Sequence, residues 1–144
     1  MRRSIVMLFC FAVFLTFTAC GGNAGDDPKA FLNETLDVLD NYITDMGKVE
    51  NADDAVAVTE KYTAIFKDLG ERGKVLKEKH PELFEGMEKN EYPEGYEDVE
   101  ERMKQVMPKM MAMFQNEKMM EIMQDPKVQE AQMKFQEAMQ SIND

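Results

Sequence analysis

The chain reads as an all-α protein, a small three- to four-helix bundle, and three observations predict it. Apolar residues recur in alternating steps of three and four along four stretches, each stripe covering less than half of a helical circumference. Asp27-Pro28 and Asp125-Pro126 supply the same helix start twice: a carboxylate that can accept from the first free amides, then a proline where no donor is needed. Breakers separate the stripes, with His80-Pro81 followed by Gly86, Pro93 and Gly95.

The first helix starts at Asp27-Pro28, carries Phe31, Leu32, Leu39, Tyr42, Ile43, Met46 and Val49, and runs to about Lys48. Asn51 caps the second, with Asp53 and Asp54 in its electropositive first turn. Ala55, Val58, Tyr62, Ile65, Leu69 and Leu76 form its bundle-facing stripe. Gly70 and Gly73 interrupt that stripe at up to about 1 kcal/mol each relative to alanine, which predicts close helix packing or a bend. At His80 the following proline disfavours helical geometry and ends the helix.

From Glu82 to Glu100 a glutamate falls at every third position. A period of three precesses around a helix and makes no stripe, so the expectation is a solvated acidic connector around 81–95 with short helical pieces. The third long helix follows on Tyr96, Val99, Met103, Val106, Met110 and Met113, flanked by Met107 and Phe114. Pro108 inside it should cost about 3 kcal/mol unless a kink or a helix start absorbs the missing hydrogen bond. From Met119 to Met123 the apolar direction swings by half a turn, which predicts a break at Gln115-Asn116. Asp125-Pro126 then opens the last stripe: Val128, Ala131, Phe135, Ala138 and Ile142.

The first twenty residues are of another kind. Arg2 and Arg3 precede an apolar run from Ile5 to Phe17, too short for the roughly 20 residues that span a bilayer, and small residues follow at Thr18 and Ala19. Phe17-Thr18-Ala19-Cys20, followed by Gly21-Gly22, resembles the lipobox of bacterial lipoproteins, with Phe17 where that family most often has leucine. The resemblance implies cleavage by signal peptidase II and a thioether-linked diacylglycerol plus an N-terminal acyl chain on Cys20. Several acyl chains hold a protein stably to a membrane where one would be marginal. Gly21 stands where an aspartate retains enterobacterial lipoproteins at the inner membrane, so the resemblance implies an outer-membrane location facing the periplasm. The expected organisation is a signal peptide over 1–19, a flexible tether over 20–27, and one helical domain over 28–144.

Charge and composition exclude several functions. Loss of Arg2 and Arg3 with the signal takes the net charge from −11 to −13, which repels nucleic acid and anionic head groups. Cys10 leaves with the signal, so the mature chain has no disulfide partner and packing alone must hold it. Ser141 is the one serine after the signal and His80 the one histidine, too few for a nucleophilic triad or a metal cluster. The connector lacks the spaced aspartates and central glycine of a helix-loop-helix calcium site. The expectation is a non-enzymatic chain without a cofactor or a bound metal.

Ten of the 14 methionines lie between Met103 and Met139, and three readings compete for them. Methionine is flexible and fills irregular cores, which suits the residues on the stripes. It also makes adaptable binding surfaces: Met111, Met119 and Met133 fall off the main stripes and, with Met120 and Met123, are the candidate partner-binding residues for a protein, peptide or lipid. Thioethers also suit Cu(I), and Met107 with Met110 or Met111, or Met119 or Met120 with Met123, have helical spacing for two ligands but no third. Asn116 to Phe135, with Asp125-Pro126 and its glutamines, resembles the Asp-Pro helical modules of co-chaperones over a short stretch. The expected function is a membrane-anchored binding or scaffold module of the cell envelope. The alternatives are a chaperone-like or lipid- or peptide-binding protein with a methionine-rich groove, and a Cu(I) binder.

Overall fold

A computed structural model describes residues 27–89 and 91–140. The signal, Cys20, the tether before Asp27, Ser141 and Ile142 lie outside the described residues. Within them the chain forms α1 (Pro28–Met46), α2 (Ala52–Lys79), α3 (Pro81–Glu88), α4 (Glu97–Gln115), α5 (Glu117–Ile122) and α6 (Pro126–Gln140). Four of these are long, as the stripes predict, and two short ones are added at the connections.

The caps form where their residue types place them. Asp27 Oδ1 accepts from the amides of Lys29 and Ala30 at 2.9 and 3.3 Å, and Asp125 Oδ1 accepts from that of Lys127 at 2.9 Å. Asn51 Oδ1 accepts from the Asp54 amide at 3.0 Å, while Asp54 Oδ2 accepts in return from the Glu50 amide at 3.1 Å and from Asn51 Nδ2 at 2.9 Å. This reciprocal exchange satisfies donors that no helical carbonyl can reach. Asn116 closes α4 and opens α5: its amide donates to Met113 O at 3.3 Å and its side chain accepts from the Met119 amide at 3.1 Å. The expected break therefore falls at that residue.

Two expectations resolve in one direction. α2 runs unbroken through Gly70 and Gly73, both buried, so the glycines serve close packing and not a bend that ends the helix. α4 likewise runs through Pro108, which is exposed; the helix neither starts nor stops there, and water can hydrate the carbonyl one turn earlier that lacks a donor.

Side-chain pairs set the topology. Lys29 meets Asp98 at 2.8 Å, Arg102 holds Asn33 and Asp37, and Lys109 meets Asp40 at 2.6 Å, so residue numbers on α1 and α4 rise together. These two helices are parallel. Lys127 meets Asp53 at 2.7 Å and Lys134 lies in the field of Glu60, so α2 and α6 are parallel as well. α1 and α2 are antiparallel, with Arg72 on Glu34 towards one end and the Tyr62 hydroxyl donating to Asp45 at 2.9 Å towards the other. The long helices are thus ordered α4, α1, α2, α6, with α1 and α2 central.

Parallel neighbours cannot be joined by a tight turn, so the connections cross the bundle ends. From α2 to α4 the chain passes through α3 and the connector, which tuck half-buried Phe84, Met87, Tyr92 and Tyr96 against the core. Glu82, Glu85, Glu88, Glu91, Glu94 and Glu97 face solvent, as the solvated reading of this segment expects. Two glycines fit it to the end. Gly95 has φ +89°, and a Cβ on Gly86 would stand 2.8 Å from Glu91 O. At the opposite end α5 links α4 to α6 and buries Met119. The core centres on Leu36, Met46, Leu69, Leu76, Val99 and Val128. No described helix is long and apolar enough to cross a membrane.

Candidate functional site

α4 and α6 each pack closely on a central helix and approach one another far less, which leaves a cleft of about 30 Å³ between them. Its floor is Leu39 and Tyr42 of α1 with Thr59, Tyr62 and Phe66 of α2; its walls are Met110 and Phe114 of α4 and Gln132 and Phe135 of α6. Helical spacing produces this set directly. Leu39 and Tyr42 are three apart, and Thr59, Tyr62 and Phe66 step by three and four, so each group lines one face of its helix.

The rings lock edge to face. Tyr42 meets Tyr62 at 5.3 Å and 70° and Phe66 at 5.9 Å and 79°; Phe66 meets Phe135 at 5.8 Å and 81°. Such pairs place the positive edge of one ring on the negative face of the next. The floor is therefore stiff, while the Met110 wall can change rotamer.

The polar groups divide into engaged and free. The Thr59 hydroxyl donates to Ala55 O at 2.8 Å, and that of Tyr62 donates to Asp45. Gln132 Nε2 donates to Met123 Sδ at 3.1 Å; its carbonyl oxygen and second amide hydrogen have no partner among the described residues. Tyr42 makes no hydrogen bond within the described residues, and burial pushes its hydroxyl up to about 12, so it remains a neutral donor. No fully buried side-chain oxygen or nitrogen lacks a partner among the described residues, so the Tyr42 oxygen keeps an accessible edge. Beside the cleft, Lys61 at 2.8 Å, then Tyr62, then Lys48 hold the Asp45 carboxyl down at about 2. That carboxylate is matched locally and adds little field inside.

No charged residue lines the cleft. A second recess of about 210 Å³ between α2 and α6 is lined by Asp53, Glu60, Lys127, Glu130 and Lys134, whose pairs include Lys127 with Asp53 and Lys134 with Glu130 at 2.8 Å. Its open, charge-matched wall sets helix register. Among the described residues no three His, Cys, Asp or Glu side chains gather into a metal-holding group. His80 marks the junction of α2 and α3, where its carbonyl accepts from the Leu83 amide at 3.2 Å.

The methionines named from the sequence divide sharply. Met119 is 6% exposed and belongs to the core, which corrects its expected place on an open surface: the change of helix direction at Asn116 turns it inward. Met123 is half-buried and occupied by Gln132. Met111, Met120 and Met133 are exposed at 46%, 45% and 57%, on three different helices, and none of the five lines the cleft. Met110, on the stripe read as core, lines it instead. The sequence reading missed the cleft because its residues look like core; the signal present was a concentration of rings at Tyr42, Tyr62, Phe66, Phe114 and Phe135. Cys20 lies outside the described residues. No protein-family model, curated protein or solved structure matches the chain.

Proposed function

We propose that the protein is a membrane-tethered, non-enzymatic binding module of the bacterial cell envelope, anchored through lipid on Cys20 at the periplasmic face of the outer membrane, and that its guest is apolar. The observation that carries the guest is the α4/α6 cleft, an uncharged aromatic recess with an unengaged hydroxyl. Its lining offers contact area and orientation but no activated nucleophile and no acid-base pair. The lipobox-like Phe17-Thr18-Ala19-Cys20 supports the anchor. Between Cys20 and the cap at Asp27 stand six residues, which reach at most about 20 Å, so an anchored bundle stays within one helix length of the bilayer.

Two measurements test this reading. Metabolic labelling with palmitate should mark the wild-type chain and not Cys20→Ala, and an unlabelled wild type removes the anchor. Residues 21–144, free of the signal and of lipid, should take up a slender linear polyene probe, with uptake falling when Gln132→Trp fills the cleft; absence of uptake removes the apolar guest. A second, chaperone-like reading is favoured by exposed Met111, Met120 and Met133, which would hold peptide on the outside of the bundle. It requires crosslinks to protein from those three positions in the native envelope.

A further inference from the structure

Much of the methionine excess has a structural use. Met46, Met110, Met113, Met119 and Met139 are buried in the core, and Met123 packs against it with its sulfur accepting from Gln132 Nε2 at 3.1 Å. Met111, Met120 and Met133 do neither. They are roughly half exposed, on α4, α5 and α6, and among the described residues every exposed large apolar side chain is a methionine. Leucine, isoleucine, valine and phenylalanine are kept off this surface, so the property these three positions share is the thioether and not apolarity as such. A groove or a Cu(I) site needs several sulfurs converging on one guest. Oxygen transfer needs one sulfur at a time, open to solvent, which is what each of the three helices presents.

The rest of the chain favours these sulfurs as the first to react. Residues 21–144 hold no cysteine and no tryptophan, so no thiol or indole competes for an electrophilic oxidant. A net charge of −11 repels anionic reagents, which selects a neutral one such as undissociated hypochlorous acid. Burial shields the core sulfurs, and the hydrogen bond from Gln132 engages a lone pair of Met123. The consequences differ as sharply as the access. A sulfoxide on Met111, Met120 or Met133 is hydrated where it forms, whereas one on Met113 or Met119 would put a strong acceptor into the core without a donor.

We propose that Met111, Met120 and Met133 are reversible oxidation sites at which the protein consumes hypohalous acid before its core is damaged. In each, a sulfur lone pair attacks the chlorine of hypochlorous acid and expels hydroxide; water then adds to the chlorosulfonium sulfur, chloride leaves, and two protons are released, one of which neutralises the hydroxide. The sulfur loses two electrons and gains one oxygen, and the chlorine departs as chloride. A dithiol acting through a sulfoxide reductase reverses the change, the oxygen leaving as water and the dithiol becoming a disulfide. The assignment is independent of what the cleft holds.

The test gives residues 21–144, which contain the whole described bundle, graded hypochlorous acid up to three equivalents per chain and places the oxygens by peptide mass spectrometry. Met111, Met120 and Met133 should gain oxygen about tenfold faster than Met119, and the helical signal and urea midpoint should hold until all three are sulfoxides. Methionine sulfoxide reductases for both sulfur epimers, with dithiothreitol, should return all three to thioethers. In a protein carrying Met111→Leu, Met120→Leu and Met133→Leu together, which keeps apolar volume at each exposed position, the same dose should reach Met123 and the core and lower the urea midpoint. Early oxygen on Met119, loss of helical signal with the first three oxygens, sulfoxides that the reductases cannot return, or a leucine variant as resistant as the wild type would overturn the assignment.

Discussion

Tyr42 should make the bundle fragile in alkali over a defined window. Its hydroxyl ionises at 10.0 when unfolded and is pushed up to about 12 in the folded chain by burial. The proton is held more tightly in the native state, so the associated stability is complete below pH 10 and lost as pH rises towards 12, when the unfolded chain gains the ionised form and the folded chain does not. Two units at about 1.36 kcal/mol each set the loss at about 2.7 kcal/mol, a large share of what holds a domain of this size. The measurement is urea unfolding across that window for the wild type and for Tyr42→Phe. Below pH 10 the two should agree within about 0.5 kcal/mol, because no hydrogen bond is removed. Above it they should separate, the wild type falling faster. Deprotonation of lysines weakens both proteins alike and cancels in the difference. Parallel decline of the two curves would refute the argument, since it would mean that the accessible edge of the Tyr42 oxygen lets water stabilise the ionised form as well as in the unfolded chain.

Further outcomes follow from the same geometry. Met119→Ala should cost about 2–5 kcal/mol and Met111→Ala less than about 0.5, by chemical denaturation; equal costs would undo the buried position of Met119. Asp45→Asn should destabilise the protein above the unfolded carboxyl value of 3.8, with the difference from wild type vanishing as pH falls to about 2, because a carboxyl held low contributes only while ionised. A constant difference down to that pH would exclude the pairing with Lys61 and Tyr62. Pro108→Ala restores a helical amide on the exposed side of α4 and should raise stability by up to about 3 kcal/mol, and a fall in melting temperature would contradict it.

The helices were legible because each rests on local chemistry. Asp27, Asn51 and Asp125 cap where their side chains reach free amides, and the stripes name most of the core. The order of the helices was not legible. Which helix lies beside which depends on Lys29, Arg102, Lys109 and Lys127 meeting acids 69, 65, 69 and 74 positions earlier or later in the chain, and no local pattern reports such separations. The cleft depends on that order, so its members read as ordinary core. Met119 is a different case: the break at Asn116 was legible, but not which way the short helix after it would turn, and it turns Met119 into the core.

Isolated surface ion pairs contribute little to stability, with a median near zero to about 1 kcal/mol. Their consequence in this bundle is of another kind. α1 with α4, and α2 with α6, are parallel neighbours separated by long connections, so no turn fixes their sliding register. Apolar stripes of interchangeable leucine, methionine and phenylalanine tolerate a shift of one turn, whereas the pairs Lys29–Asp98, Arg102–Asp37 and Lys109–Asp40 tie α1 to α4 at three successive levels and cannot all be satisfied after one. That arrangement places the cations on the outer seams with the central helices. The seam between α4 and α6 is left to neutral side chains, where Met110 faces Phe135 across a floor of tyrosine and phenylalanine. The charge pattern that orders the helices therefore also leaves the α4/α6 seam to uncharged side chains, so the pairs that fix register and the recess between the outer helices occupy different faces of the bundle.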